Sequence, residues 1–271
     1  MLGIALFVTE YLSEEKIQTK RTMVSILAMV VGCFSKAVYI PFLALYWLMP
    51  KDKFYSRRQK NLFKAGIFVL LILMFASFIL PLIGNVTSGA EVGDYRGGDT
   101  SQTSQLSMIL GYPLTYTGVL LKSLGTTFAS YFIGSKVLAN FAYRGIYDGI
   151  GYFVVLLTML FTFVTDFGMT EKTYDAQMKR KILMMKIWNA VLIFGTACLV
   201  WTALYLDFTP VGSMVINGVS PRYYLPLIFP LSLIFINQKV RCSMKLENYQ
   251  SLIAFLMLIG TGISIYCLML A

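Results

Sequence analysis

At 271 residues, 57% of them hydrophobic and only 13% charged, with a mean hydropathy of +0.69, the chain has the composition of a polytopic helical membrane protein. The sequence lacks the short alternating strands of a membrane barrel, and it has no histidine, which excludes histidine bases, nucleophiles and metal ligands. The formal net charge of +10 comes from lysines and arginines in short segments between apolar runs. That is the pattern of cytoplasmic loops, not of a nucleic-acid-binding face.

In chain order, Met1–Leu12 resembles the end of an apolar span whose beginning is missing, so the chain is expected to be the C-terminal portion of a longer protein. The basic segment Ser13–Arg21 follows, then an apolar region from Met23 to Met49, then the basic segment Lys51–Lys60. Both flanks of the apolar region read as cytoplasmic, and one span cannot begin and end on the same side. The parity is repaired if SKAVYIP (Ser35–Pro41) breaks the region into two short helices, Thr22–Phe34 and Val38–Met49. Each would be about 20 Å long, short of the roughly 30 Å hydrocarbon core. Broken pairs of this kind occur where they line a cavity, because unpaired backbone cannot face lipid. The alternative is one tilted span with a diluted charge signal at Glu10, Glu14 and Glu15.

Further spans are predicted at Lys64–Gly84, Gly149–Thr165, Ile187–Leu206, Tyr223–Ile236 and Ser251–Leu270. Between the first two, Asn85–Gln105 reads as a Gly/Ser/Thr-rich loop, and Leu106–Ile146 as one or two amphipathic helices at the outer membrane surface. The basic segments Thr170–Lys186 and Asn237–Lys245 complete the cytoplasmic side. The expected fold is therefore all-α: a transmembrane helical bundle with a broken short-helix pair and outer-surface amphipathic helices. It would form a single membrane domain over residues 1–271, with 85–148 as an extracytoplasmic loop carrying interfacial helices. Few basic residues fall outside the cytoplasmic segments: Lys36, Arg96, Lys122, Lys136, Arg144 and Arg222. The cysteines Cys33, Cys198, Cys242 and Cys267 are scattered without a CxxC pair, which points to small buried hydrophobes and not to a metal or redox centre.

Two of the outlying cations draw attention. Arg222 opens an apolar run in GVSPRYYLPLIFPLSLIF, beside the interfacial pair Tyr223 and Tyr224, and Lys36 stands at the tip of the broken pair with Tyr39 one turn on. A planar guanidinium suits a phosphate or carboxylate, and a lysine in the same layer adds a second charge. Together they suggest a cavity for an anionic, membrane-resident ligand. Against this, an interfacial Arg or Lys can simply snorkel to headgroups, and Arg222 could pair with Asp207.

The segment GVSPRYYLPL, preceded by TPVGSMVI, resembles the Gly-Val-(Gln)-Gly-Arg-Tyr-(Phe/Tyr)-Leu-Pro-Leu signature of a bacterial family of predicted integral membrane proteins of unknown function. Ser35–Phe54 and Ser104–Tyr116 resemble that family too, in the same order along the chain. Ser220–Pro221 stands where the family has Gln-Gly. The family is distantly similar to the GT-C polyprenyl-phosphate-sugar glycosyltransferases. The resemblance implies transfer of a sugar from a polyprenyl-phosphate donor to an envelope glycan or lipid, at the outer face of a bacterial cell membrane and without a cofactor. Arg222 and Lys36 would hold the donor phosphate, and Tyr223, Tyr224 and Tyr39 would line its cavity. The acidic motif of the first outer loop has no counterpart here. Glu91, Asp94 and Asp99 sit in a Gly-rich loop, while Asp148 and Asp207 sit at span borders, so no catalytic base is assigned. The competing readings are a transporter or flippase of a lipid-linked saccharide and a non-catalytic membrane subunit.

Overall fold

The structure is a computed structural model describing residues 1–34, 36–88, 100–132, 150–165, 175–235, 240 and 242–270. The chain divides into two compact units, 1–124 with 176–219 and 125–175 with 220–271. Among the described residues every regular element is helical. Three of the described helices are long and apolar enough to cross a membrane, within Arg57–Leu80, Ala176–Phe208 and Leu246–Cys267.

In the first unit, α1 (Leu2–Leu12) packs on α2 (Thr19–Phe34), and the chain returns as a 3₁₀ helix over Ala37–Leu48 that packs on α2. The expected short-helix pair is present; its second member is 3₁₀, not α. Two prolines explain its limits. Pro41 supplies no N–H, and Pro50 forces Met49 out of the helical region, at ψ 117°. Bonds from Tyr39 N–H to Lys36 C=O (3.3 Å) and from Met49 N–H to Tyr46 C=O (3.2 Å) mark its two ends. The 12-residue stretch rises about 24 Å at ~2 Å per residue. Its side chains Ile40 and Phe42 through Tyr46 are buried, so it forms the core of the unit rather than a lipid-facing wall.

Helix α3 (Arg57–Ser88) starts at Ser56, whose Oγ accepts the Gln59 N–H at 3.1 Å while Gln59 Oε1 accepts from Tyr55 N–H, a variant of the Ser-x-x-Gln cap. It passes Gly84, the expected end, because no strong breaker follows until Gly89. Helices α4 (Gln102–Gly111) and α5 (Pro113–Phe132) occupy part of the segment read as amphipathic. Helix α7 (Ala176–Phe208) is 33 residues long, against the expected Ile187–Leu206. The basic stretch before Ile187 belongs to the helix because Ala, Gln, Met, Lys and Arg all favour it. At about 50 Å it outreaches the hydrocarbon core, so its cationic turns project beyond it.

In the second unit, α6 (Ile150–Thr165) packs along α9 (Leu246–Leu270). The expected span Tyr223–Ile236 is instead a 3₁₀ helix, Pro221–Leu227, continued by the seven-residue α8 (Ile228–Ile234). Pro226 removes a donor that a continuous α-helix would need, and Pro230 falls in the first turn of α8, where no N–H is required.

The α6–α9 crossing depends on two glycines. A Cβ on Gly151 would lie 2.5 Å from the Gly260 carbonyl oxygen, and one on Gly260 would lie 2.7 Å from Val155. Small residues let membrane helices approach this closely. Gly151→Leu is therefore expected to lower the melting temperature of the detergent-solubilised protein, by an overpacking cost of about 1–3 kcal/mol. Gly262→Leu, where an added Cβ meets nothing within 4 Å, serves as the control and should melt within a degree or two of wild type. Equal melting of all three proteins would refute the crossing.

Candidate functional site

At one end of the first unit, three basic segments converge on the base of the returning pair. Lys53 is 1% exposed; its Nζ donates to Ser13 C=O (2.6 Å), Ser13 Oγ (2.5 Å) and Glu15 C=O (3.0 Å). Glu10, equally buried, accepts from Gln18 N–H at 2.9 Å and faces Arg21 at 3.5 Å. Lys16 Nζ donates to Asp52 C=O at 2.7 Å, and Lys181 Nζ, from the start of α7, to the Asp52 carboxylate at 3.1 Å. Burial lowers the Lys53 pKa, and Glu10 is the first charge to pull it back up. For Asp52, burial opposes ionisation, but Lys181 and then Lys53 outweigh it and hold the carboxyl below its ordinary value.

Above this base, an aromatic chain fills the core. Tyr46 meets Phe7 edge-on at 5.1 Å and Phe63 at 6.1 Å, and its hydroxyl bonds Ser25 Oγ, which also bonds Gly3 C=O at 2.6 Å. The indole N–H of Trp188 in α7 donates to Ala44 C=O at 3.0 Å, tying the 3₁₀ helix to the long span.

The other end of α7 carries a second polar group. Asp207 Oδ1 accepts from Gln102 Nε2 at 2.6 Å, and Tyr116 and Thr202 share a hydroxyl bond of 2.5 Å. Gln105 is wholly buried and donates to the carbonyls of Thr209 (2.9 Å) and Pro210 (3.0 Å). Lys181 and Asp207 are separated by about 39 Å along α7. The segments read as cytoplasmic at Ser13–Arg21, Lys51–Lys60 and the start of α7 thus share one end, and Asp207 lies at the other.

Lys36 lies at the turn of the returning pair, its N–H donating to Cys33 C=O at 3.0 Å, with Tyr39 one 3₁₀ turn on; both are half-buried. Since the pair starts and ends at the Lys53 base, Lys36 stands about 24 Å from that base. Arg222, Tyr223 and Tyr224 belong to the second unit. There the 3₁₀ period of three residues per turn sorts the side chains. Pro221, Tyr224 and Leu227 are buried on one face, Arg222 and Leu225 are exposed on another, and Tyr223 is between. Arg222 and the ring of Tyr224 therefore stand on different faces. Glu91, Asp94, Asp99 and Asp148 lie outside the described residues.

Sequence reasoning passed over Asn189 and Thr196 of α7, both 0% exposed. Among the described residues neither Asn189 side-chain atom finds a hydrogen-bond partner, nor does Thr196 Oγ1. The signal was available: two polar residues seven apart in the run IWNAVLIFGT, on one helix face. Among the described residues no group of three or more Cys, Asp or Glu could hold a metal ion.

Residues 1–231 match the family model described as Predicted membrane protein (DUF2142). The chain belongs to that family. The DUF2142 match covers the returning pair, α7 and the Arg222 segment, and the protein is an all-α membrane protein of that family. No curated protein and no solved structure matches the chain.

Lys53→Met leaves the Ser13 carbonyl, the Ser13 hydroxyl and the Glu15 carbonyl without their donor, so it is expected to cost about 1–3 kcal/mol of stability. Lys181→Met removes an ion pair whose Asp52 partner is half exposed and should cost less than about 1 kcal/mol. Thermal unfolding of the two variants side by side checks the ranking, and the reverse order would contradict it.

Proposed function

We propose that the protein is a GT-C-like glycosyltransferase in a bacterial cell membrane. It would move a sugar from a polyprenyl-phosphate donor to an envelope glycan or lipid at the outer face. The observation that carries this reading is the returning pair, which takes Lys36 some 24 Å from the basic base while remaining inside the first unit. A cation so placed meets membrane depth where few charges are tolerated without a function. In the second unit, the exposed Arg222 is held on a proline-stiffened 3₁₀ face within the signature segment. There Arg222 would donate to phosphate oxygens with Tyr223 as an amphipathic neighbour; in the first unit, Lys36 would offer a donor of the same kind beside Tyr39. No residue is assigned as the base that activates the acceptor hydroxyl.

A transporter of lipid-linked saccharide is the second reading, favoured by one observation: the buried Asn189 and Thr196 within α7, whose side chains find no hydrogen-bond partner among the described residues. Polar side chains at that depth suit a path for a hydrophilic group.

The test is Arg222→Ala in cells that carry the protein. Loss of sugar transfer of at least about a hundredfold, with normal membrane insertion, is expected for a charge that binds the transferring phosphate. Unchanged transfer would remove Arg222 from the mechanism. Movement of a lipid-linked sugar across reconstituted vesicles without chemical change would favour transport instead.

A further inference from the structure

The base of α3 has an arrangement that topology alone does not require. Arg57, Lys60 and Lys64 follow one another at spacings of three and four, so they share a face of the helix. The same face continues as Phe68, Ile72, Phe75 and Ile79, which with Trp47 line a wholly apolar groove of about 480 Å³. One helix face thus reads as three cations followed by three turns of hydrocarbon. The junction is built: Lys64 Nζ donates to Trp47 C=O at 3.0 Å, and the Trp47 ring stacks on Phe68 at 6.4 Å. An indole at this level is the usual marker of a membrane–water boundary.

The electrostatics call for an anion. These cations occupy the first two turns of a 32-residue helix with no acid in its first turn. The positive end of the helix dipole lies there, and it favours negative charge. The neighbouring acid, Asp52, is taken by Lys181. From Phe68 to Leu80 the groove runs about 18 Å, close to half of the roughly 30 Å core and thus to the depth of one leaflet.

We infer that the first unit carries a site for an anionic glycerophospholipid of the leaflet at its basic end, with the headgroup phosphate on Arg57, Lys60 and Lys64 and one acyl chain in the Trp47–Leu80 groove. The site is independent of the donor contacts proposed above, since it uses neither Lys36 nor Arg222.

The test is quenching of Trp47 fluorescence in vesicles containing lipids with brominated acyl chains, either phosphatidylglycerol or phosphatidylcholine. Three tryptophans are present, so the Trp47 contribution is the difference between wild type and Trp47→Phe. Half-maximal quenching is expected at a several-fold lower fraction of the anionic lipid. Lys60→Gln, which leaves the Lys64–Trp47 bond in place, should reduce that preference by about fivefold, the worth of one cation near a charged surface. Ala76→Phe keeps every charge but fills the groove, and should weaken quenching by both lipids. Equal quenching by the two headgroups in wild type would overturn the inference and leave the cations a topological role only. A preference unchanged in Lys60→Gln would overturn it as well, since the attraction would then lie elsewhere.

Discussion

A chain that turns back within a hydrocarbon layer must present no unpaired backbone to lipid. In the first unit, that constraint falls on the stretch between Thr19 and Phe54. The structure meets it by burying the returning 3₁₀ helix behind α1, α2, α3 and α7, so that Ile40, Leu43, Leu45 and Tyr46 have no exposed surface. The anchor is at the base, where the Lys53 ammonium holds two carbonyls and a hydroxyl of the segment after α1. The geometry of Lys36 follows from that anchor, because a pair fixed at its open end can only carry its turn toward the far side.

The 3₁₀ geometry has consequences in the two longer described stretches, Ala37–Leu48 and Pro221–Leu227. It rises further per residue than an α-helix, so twelve residues reach about 24 Å where an α-helix would reach about 18 Å. Its period of three also decides which side chains share a face. Around Pro221 this places Tyr224 among the buried residues and leaves Arg222 exposed. Pro41 and Pro226 each withdraw an N–H that a regular α-helix would use, while Pro221 opens the second stretch at its first position, where none is needed.

Much of this was legible in the residues. Charge parity around Met23–Met49 pointed to a turn near Ser35–Pro41, because lysines and arginines report sidedness independently of helix type. What the parity could not disclose was the 3₁₀ form. The run AVYIPFLALYWL is apolar almost throughout and is buried on most sides, so no periodic pattern separates the two helices. Arg222 was visible as a charge at the edge of an apolar run, but its facing depends on a backbone period that two prolines impose. Lys53 was hidden for the opposite reason: it is one of several cations in KDKFYSRRQK, and only the folded chain distinguishes the buried one from its exposed neighbours. The long reach of α7 was missed because hydropathy marks where a helix is apolar, not where it stops.

The claim on which these relations rest is that the polypeptide leaves and re-enters on one side between Ser13 and Arg58, and reaches the other side along α7. Single cysteines at Lys16, Arg58 and Val211, in a protein whose native cysteines have been replaced, can be labelled with a membrane-impermeant maleimide in sealed vesicles of known orientation. The account predicts that positions 16 and 58 react from the same side and position 211 only from the other. Labelling of 16 and 58 from opposite sides would show that Thr22–Met49 crosses the membrane once, and would contradict it.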